Sequence, residues 1–133
     1  RATALESAAI EVAGPDAVTV EASYADSASE SVQLQSNGFE GAWRGTRVWS
    51  WVTVTLADQG EKRPQGWAEA GACCRRDLAT PAAVAAEAVD AVRARLGAVR
   101  LPTERLPMVV HRRAAGKLVG FLVRAASGVL IPT

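Results

Sequence analysis

The chain has few residues of the types that do chemistry, and its single histidine is the first to consider. His111 lies between a short apolar run and a strongly apolar helical pattern, in the stretch LPMVVHRRAAGKLVGFLVRAASG at 106–128. A zinc site built from protein alone needs three or four ligands. No Cys or carboxylate follows His111 at a spacing of three or four residues. We therefore interpret His111 as a structural or surface residue, not as a metal ligand or a general base.

The remaining reactive side chains form no recognisable constellation either. Cys73 and Cys74 are adjacent, and neighbours in a strand point to opposite faces, so we interpret them as small apolar strand residues in a reducing compartment. The acidic residues are scattered over polar faces, which favours solvation over acid–base work. The phosphate-loop, dinucleotide-binding and nucleophile-elbow motifs are all missing from the sequence. An autonomous enzyme is thus the least favoured interpretation.

Tryptophans offer a more specific signal. In the strand pattern TRVWSWVTVTLA at 46–57, Val48 and Val52 alternate with Trp49 and Trp51, which places the two tryptophans together on the opposite face. Trp67 follows on the next predicted strand. Such a face is either core beneath a layer that this chain lacks or an interface with a partner.

Composition narrows the classes of partner. The chain has 133 residues with 15 basic and 14 acidic side chains, so it lacks the basic excess that nucleic-acid binding requires. No apolar run reaches the ~18 residues of a membrane-spanning helix. We therefore expect neither nucleic acid nor a membrane as a partner.

The elements predict an α+β fold with an antiparallel sheet of about four to five strands packed against helices. In chain order the patterns predict a helix at 2–13, strands at 17–25, 30–36, 46–57 and 67–76, a helix at 81–97, a short strand at 108–111 and a helix at 112–126. Asn37-Gly38 predicts a hairpin turn. Thr80 and Pro81 predict the start of the second long helix, and Gly97 its end.

The ends suggest a piece of a longer chain. Residue 1 is Arg, and the last residues, GVLIPT, are apolar and stop abruptly after a helix. We expect residues 1–133 to form a single α+β unit that lacks domains before and after it. A basic stripe on the last helix (Arg113, Lys117 and Arg124) is interpreted as a solvated face, with anion or partner contact as the alternative.

Two stretches, at 32–49 and 77–128, resemble the middle of the PmbA/TldE and TldD proteins, a family of proposed modulators of DNA gyrase. The similarity runs over roughly residues 15–128 and is carried by a turn and by short motifs in a shared order. Those motifs read Leu96-Gly97-Ala98, Leu101-Pro102-Thr103, Leu106-Pro107-Met108-Val109-Val110 and Ala114-Ala115-Gly116. The chain departs from the family pattern at Glu104 and Arg105, where the family prefers a glycine-containing turn.

The resemblance also implies that the last predicted helix, at 112–126, lacks a metal-binding motif. TldD-type proteins carry an HExxxH motif on this helix, whereas PmbA/TldE-type proteins lack it and end the helix in a Ser-Gly segment. Here the corresponding positions are Gly120, Phe121, Arg124 and Ala125, none of which can bind zinc, and Ala126-Ser127-Gly128 is similar to the PmbA/TldE ending. The resemblance therefore implies a chain without catalytic or metal-binding residues.

By the same resemblance, the chain is expected to be the central piece of a TldD/PmbA-type fold in a cytoplasmic, heterodimeric metalloprotease. Zinc is expected only on a TldD-like partner subunit, which cleaves unfolded or leader peptides, including precursors of modified peptides. Trp49, Trp51 and Trp67 would contact that partner or the missing domains, and the piece alone would self-associate. The alternative is a stand-alone protein- or peptide-binding module that uses the Trp49/Trp51 face.

Overall fold

The structure, a computed structural model, describes residues 1–127 apart from the side chains of Arg112 and Arg113. The chain groups into two units, Arg1–Val99 and Arg100–Thr133. The first unit contains helix α1 (Ala2–Ala13), strands β1 (Ala17–Leu34), β2 (Glu40–Leu56) and β3 (Gln65–Ala72), and helix α2 (Pro81–Arg93), with short 3-10 turns at Gly14–Asp16 and Arg75–Asp77. The second unit contains helix α3 (Arg112–Ala126).

The sheet is an antiparallel meander in the order β1-β2-β3, which confirms the predicted α+β class. It has three strands instead of four to five because the strands predicted at 17–25 and 30–36 are one continuous strand and residues 108–111 form no strand. The stretch at 26–29, which lies between the strands predicted at 17–25 and 30–36, is itself extended and pairs with β2 through Ser27↔Arg47 and Ser29↔Gly45. Polar residues are tolerated there because this part of the ribbon is exposed on both faces.

The β1–β2 turn lies where the sequence predicts it. Gly38 has a φ of 85°, which glycine adopts without steric cost. The Gln35 N–H donates to the Phe39 carbonyl at 2.9 Å, and the Phe39 N–H donates to the Asn37 side chain at 3.1 Å. These bonds close the hairpin and fix the register of both strands.

One face of the sheet forms the floor of the core. Both helices of the first unit pack on it, so alternate residues of β2 are buried while those between them are not. The core consists of Leu5, Ala9 and Ala13 from α1, Val52, Val54, Leu56 and Ala68 from the sheet, and Val84, Ala85, Ala88, Val89 and Val92 from α2. In the sequence, Val84, Ala88, Val92 and Leu96 recur every four residues, and the first three mark the buried stripe of α2. The helix ends at Arg93, before the predicted end at Gly97, and Leu96 is 41% exposed.

Helix α2 lies directly on the backbone of β3. A Cβ atom added at Gly66 would lie 2.3 Å from the Val92 nitrogen and 2.6 Å from the Ala88 carbonyl oxygen. Gly66 precedes the strand predicted at 67–76, but in the structure it is the second residue of β3. A residue without a side chain is what permits this close approach of helix and strand.

Helices α1 and α2 run side by side in the same direction. At their C-terminal ends, Arg93 Nη2 donates to the Val12 carbonyl at 2.9 Å. At the start of α2, the Ala83 N–H donates to Thr80 Oγ1 at 3.3 Å, which confirms the predicted cap, and Pro81 occupies the first turn. The two N-terminal ends consequently lie at one end of the helix layer.

Asp58 joins the β2–β3 loop to the end of α2. Its Oδ2 accepts from the Gly97 N–H at 3.1 Å, at a residue whose φ of 66° ends the helical turn. Hydrogen bonds from the Gln59 N–H and then the Gly97 N–H, with attraction from Lys62, lower the pKa of Asp58 below its ordinary 3.8 despite opposing desolvation. The charged carboxylate is therefore the form that the folded chain prefers.

We expect Asp58→Asn to lower the Tm slightly at pH 7, and we expect this effect to shrink as the pH falls towards 2. A depressed folded-state pKa adds stability above the unfolded pKa, and this is lost as the pH falls through the folded value. Thermal unfolding of both proteins between pH 2 and 7 measures the difference. If the difference in Tm between the two proteins were as large at pH 2 as at pH 7, the charge on Asp58 would not be its cause.

The second unit contains one regular element among its described residues. Helix α3 begins after His111, whose carbonyl accepts from the Ala115 N–H at 3.1 Å. The strand predicted at 108–111 is wrong, since these residues have no regular secondary structure. An apolar run keeps strand geometry only when a neighbouring strand pairs with it. The side chain of Arg113, part of the predicted basic stripe, and Gly128, part of the predicted Ser-Gly ending, lie outside the described residues.

Candidate functional site

The face of the sheet opposite the helices carries the aromatic residues that the sequence singles out. In β2, Trp49 and Trp51 alternate with the buried Val48 and Val52 and so point to the other side. Trp67 is paired with Thr53, which lies on the same side, so β3 places it beside them. The structure thus brings Trp49, Trp51 and Trp67 together on one face.

Trp43 belongs to the same face and was missed by the sequence analysis. The β1–β2 pairing has no irregularity between residues 40 and 55, so odd-numbered residues of β2 stay on one side from Trp43 to Thr53. Continuing the alternation backwards from Trp49 through Arg47 would have found it. Gly41 and Gly45 lie in regular register with Gln33 and Ser29, so no bulge interrupts this alternation. We call the set of Trp43, Trp49, Trp51 and Trp67 the tryptophan face.

The tryptophan face is only partly covered. Trp43 is 50% exposed and Trp67 is 41% exposed, while Trp49 and Trp51 are half-buried among their strand neighbours. Trp49 Nε1 donates to Glu69 Oε2 at 3.3 Å across the β2–β3 pair, which fixes the indole ring on the sheet. A large, partly exposed aromatic surface of this kind is characteristic of the centre of protein interfaces.

Beyond the helices, the β1–β2 ribbon continues as a two-stranded arm, residues 26–47. On the side of the arm that is continuous with the core face, Val32 and Leu34 are 67% and 69% exposed. Near the turn, Phe39 and Trp43 flank Gly41, where an added Cβ atom would lie 3.0 Å from each ring. The arm therefore presents apolar groups on both of its sides.

Helix α3 carries the positions at which the resemblance implies a missing metal motif. Phe121, Arg124 and Ala125 are exposed on this helix, and Gly120 is half-buried. None of the four has a side-chain donor suited to zinc, since a guanidinium is cationic and the others are hydrocarbon or hydrogen. Over residues 1–127, no group of three or more His, Cys, Asp and Glu side chains could hold a metal ion.

The cysteines lie just after β3, not within it. Val48↔Ala72 is the last pair between β2 and β3, and beyond it the Thr46 hydroxyl donates to the Cys73 carbonyl at 2.6 Å. The backbone pairing of β2 with β3 ends there, because the Cys73 carbonyl accepts its hydrogen bond from the Thr46 side chain instead of from a backbone N–H. Cys73 and Cys74 are both exposed and free.

No helix in the described part of the chain combines the length and apolarity needed to span a membrane.

Known proteins with similar sequences or structures supply independent information about this architecture. Residues 1–96 match the PmbA/TldA metallopeptidase central domain. No protein of curated function matches the chain. The matched residues end close to the end of the first unit, so α3 lies beyond them.

Two solved structures have the same fold. One is a proposed modulator of DNA gyrase from Bacteroides thetaiotaomicron, with 25% sequence identity and a TM-score of 0.65 over 75% of this chain and 23% of its own. The other is a proposed modulator of a DNA gyrase from Thermotoga maritima, with 15% identity and a TM-score of 0.65 over 76% of this chain and 24% of its own. The second shows the fold alone. The chain thus spans about a quarter of the length of these structures.

Proposed function

The chain belongs to the PmbA/TldD metallopeptidase family, whose central domain it contains, and from this premise we propose that it is a non-catalytic, PmbA/TldE-like part of a two-subunit metalloprotease. In this proposal a TldD-like partner carries the zinc and cleaves unfolded or leader peptides, including modified-peptide precursors. This chain supplies scaffold and contact surface in the cytoplasm, an environment in which the free Cys73 and Cys74 remain reduced.

The observation that carries the proposal is the chemistry of α3. The family is named for metal-dependent peptide cleavage, yet this chain has one histidine in all, and that residue precedes the helix. The donor set of the chain does not fit a catalytic zinc ion, which needs three protein ligands and an open position. Hydrolysis must then be carried out by another subunit or another part of the assembly.

The tryptophan face supplies the contact surface in this proposal. Both helices of the first unit pack on the opposite side of the sheet, so this side is available to the rest of the assembly. Three quarters of the length of the solved relatives lies outside the matched region, which is ample chain to cover it. The free edges of β1 and β3 could also hold an extended peptide by backbone pairing.

Co-purification with a TldD-like protein tests the proposal, using the full-length parent of this chain. We expect a stable complex in which zinc is present only with the partner, and chelator-sensitive peptide cleavage only when both subunits are combined. Stoichiometric zinc on the parent alone, together with cleavage by the parent alone, would contradict the proposal. Failure of the two proteins to associate would also contradict it.

The second candidate is a stand-alone protein- or peptide-binding module, which the exposed Trp43 and Trp67 favour. Light scattering separates the two candidates. A module should be a stable monomer, whereas a piece of a larger assembly should self-associate through its uncovered face and return to a defined size when the missing parts are added.

A further inference from the structure

A small cavity lies at the end of the helix layer, away from the tryptophan face. It has a volume of about 210 Å³ and lies where α1 and α2 begin. The paired residues Tyr24 and Ser50 line it from the sheet, and Leu5 and Pro81 line it from the helices. Arg1 and Arg75 complete the wall, so the cavity has an apolar body and a cationic rim.

The electrostatic field in this cavity favours an anion. Two parallel helices direct their N-terminal ends, which are partially positive, towards it, and neither carries an acidic residue in its first turn. Arg75 Nε donates to Asp26 Oδ2 at 2.7 Å, and this bond raises the pKa of Arg75, so the guanidinium stays charged. Arg1 lies over the Tyr24 ring at 5.5 Å and forms no ion pair within residues 1–127.

Ser50 shows that the cavity has an unused polar group. It is 7% exposed, and its hydroxyl has no hydrogen-bond partner among the described residues. As an even-numbered residue of β2, it lies on the core face, beneath the starts of both helices. No fully buried side-chain polar atom among residues 1–127 lacks a partner, so the Ser50 hydroxyl is accessible from the cavity and is free to bond a molecule inside it.

We propose that this cavity binds a monocarboxylate bearing a short aliphatic group, through Arg1, Arg75 and the Ser50 hydroxyl. The apolar residues of the wall match a ligand that combines one anionic group with an aliphatic part better than they match inorganic phosphate, which has no apolar part. The cavity volume of about 210 Å³ equals the volume that about seven water molecules occupy in liquid water. A ligand of about seven non-hydrogen atoms therefore fits. Leu5, Leu78 and Pro81 then contact the aliphatic group. The proposal is independent of the proposed protease role.

Titration of the 133-residue chain with 3-methylbutanoate, followed by backbone amide NMR shifts at Ser50 and Ala79, tests the site. We expect a dissociation constant of about 1 mM, consistent with a ligand of this size. The matching amide, 3-methylbutanamide, should bind at least tenfold more weakly, and inorganic phosphate should bind more weakly than the carboxylate. Equal binding of the amide, tighter binding of phosphate, or no shift at 50 mM carboxylate would each overturn the assignment.

A carboxylate beside an aliphatic group can come from a peptide C-terminus or from a free acid. N-acetyl-leucine and a tetrapeptide ending in leucine distinguish these two sources. Tighter binding of these probes assigns the site to a peptide C-terminus, and tighter binding of 3-methylbutanoate assigns it to a free acid. If none of the three binds, the proposal is wrong.

Three variants test the residues. Arg1→Gln should weaken binding about tenfold, and Ser50→Ala about fivefold, as expected for loss of one charged and one neutral hydrogen bond. Arg44→Gln is the matched control, since Arg44 is paired with Glu30 at 2.9 Å on the distant arm and should not affect binding. Because the Ser50 hydroxyl has no protein partner, Ser50→Ala should leave the Tm of the free chain unchanged. A lowered Tm with unchanged affinity would show a purely structural role and overturn the proposal.

Discussion

Replacing Gly66 by alanine is expected to lower the free energy of unfolding by about 3 kcal/mol, the upper part of the range for overpacked sites. The added Cβ atom would lie 2.3 Å from the Val92 nitrogen, 2.6 Å from the Ala88 carbonyl oxygen and 2.8 Å from the Val92 Cα atom, which is closer than such atoms approach in proteins. Backbone atoms cannot rotate away as a side chain does, so α2 must shift as a whole. The helix supplies five residues of the core, and all of them would lose contacts together.

Urea denaturation of the chain measures this change, and Gly71→Ala provides the matched control in the same strand. An added Cβ atom at Gly71 would lie 3.6 Å from Trp49 Cδ1, an ordinary contact. Alanine there should leave the stability unchanged or raise it by about 0.5 kcal/mol, because glycine is entropically unfavourable inside a strand. Equal effects of the two substitutions would mean that the close approach of α2 to β3 is not what Gly66 permits.

The second large effect is expected at the tryptophan face. Under the proposed function, Trp51→Thr should weaken binding to the rest of the assembly about thirtyfold, the effect of losing one central interface residue of about 2 kcal/mol. Trp51 lies between its neighbours on β1 and β3, opposite Ser23 and Glu69, which makes it the central aromatic residue of this face. Threonine keeps a high strand propensity, so the sheet itself should persist.

Tryptophan fluorescence is well suited to this measurement, since the four tryptophans of the chain all lie on the face. Binding should shift the emission of the wild-type chain to shorter wavelength as the rings leave water. Leu34→Thr is the control, because Leu34 is 69% exposed but lies on the other side of the arm. If Leu34→Thr weakened binding as much as Trp51→Thr, the contact would be general apolar association and not recognition by this face.

The sequence predicts local structural features correctly where one or a few neighbouring residues determine them. Thr80 and Pro81 specify the start of α2, Asn37-Gly38 specifies a turn, and the alternation from Val48 to Leu56 specifies which side of β2 is buried. These features depend on dihedral preference and on side-chain periodicity, which operate over a few residues.

Features that depend on distant partners were not readable in this way. Gly66 resembles a loop glycine until α2 is known to lie against it. The polar residues at 26–29 suggest a turn until β2 is known to continue beside them. Residues 108–111 have a strand composition but no strand pairing. In each case the outcome depends on whether a segment far away in the sequence lies beside the residues in question.

The two candidate sites also differ in how far local sequence patterns predict them. The tryptophan pair in β2 was visible as a pattern, whereas its extension to Trp43 required an unbroken ladder. The cavity at the helix ends was invisible, because Arg1, Ser50 and Arg75 share no motif and meet only through the fold.

From Glu40 to Thr55 the regular register of β2 links the two sides of the domain, because consecutive side chains lie on opposite faces. A one-residue slip of β2 within the ladder would turn Val52 and Val54 towards solvent and Trp49 and Trp51 towards the helices. A change of one residue must therefore be absorbed by a bulge, as between Ala17 and Thr19, whereas a change of two residues preserves both faces. Without such a bulge, a one-residue insertion in β2 would disrupt the hydrophobic interior together with the aromatic side.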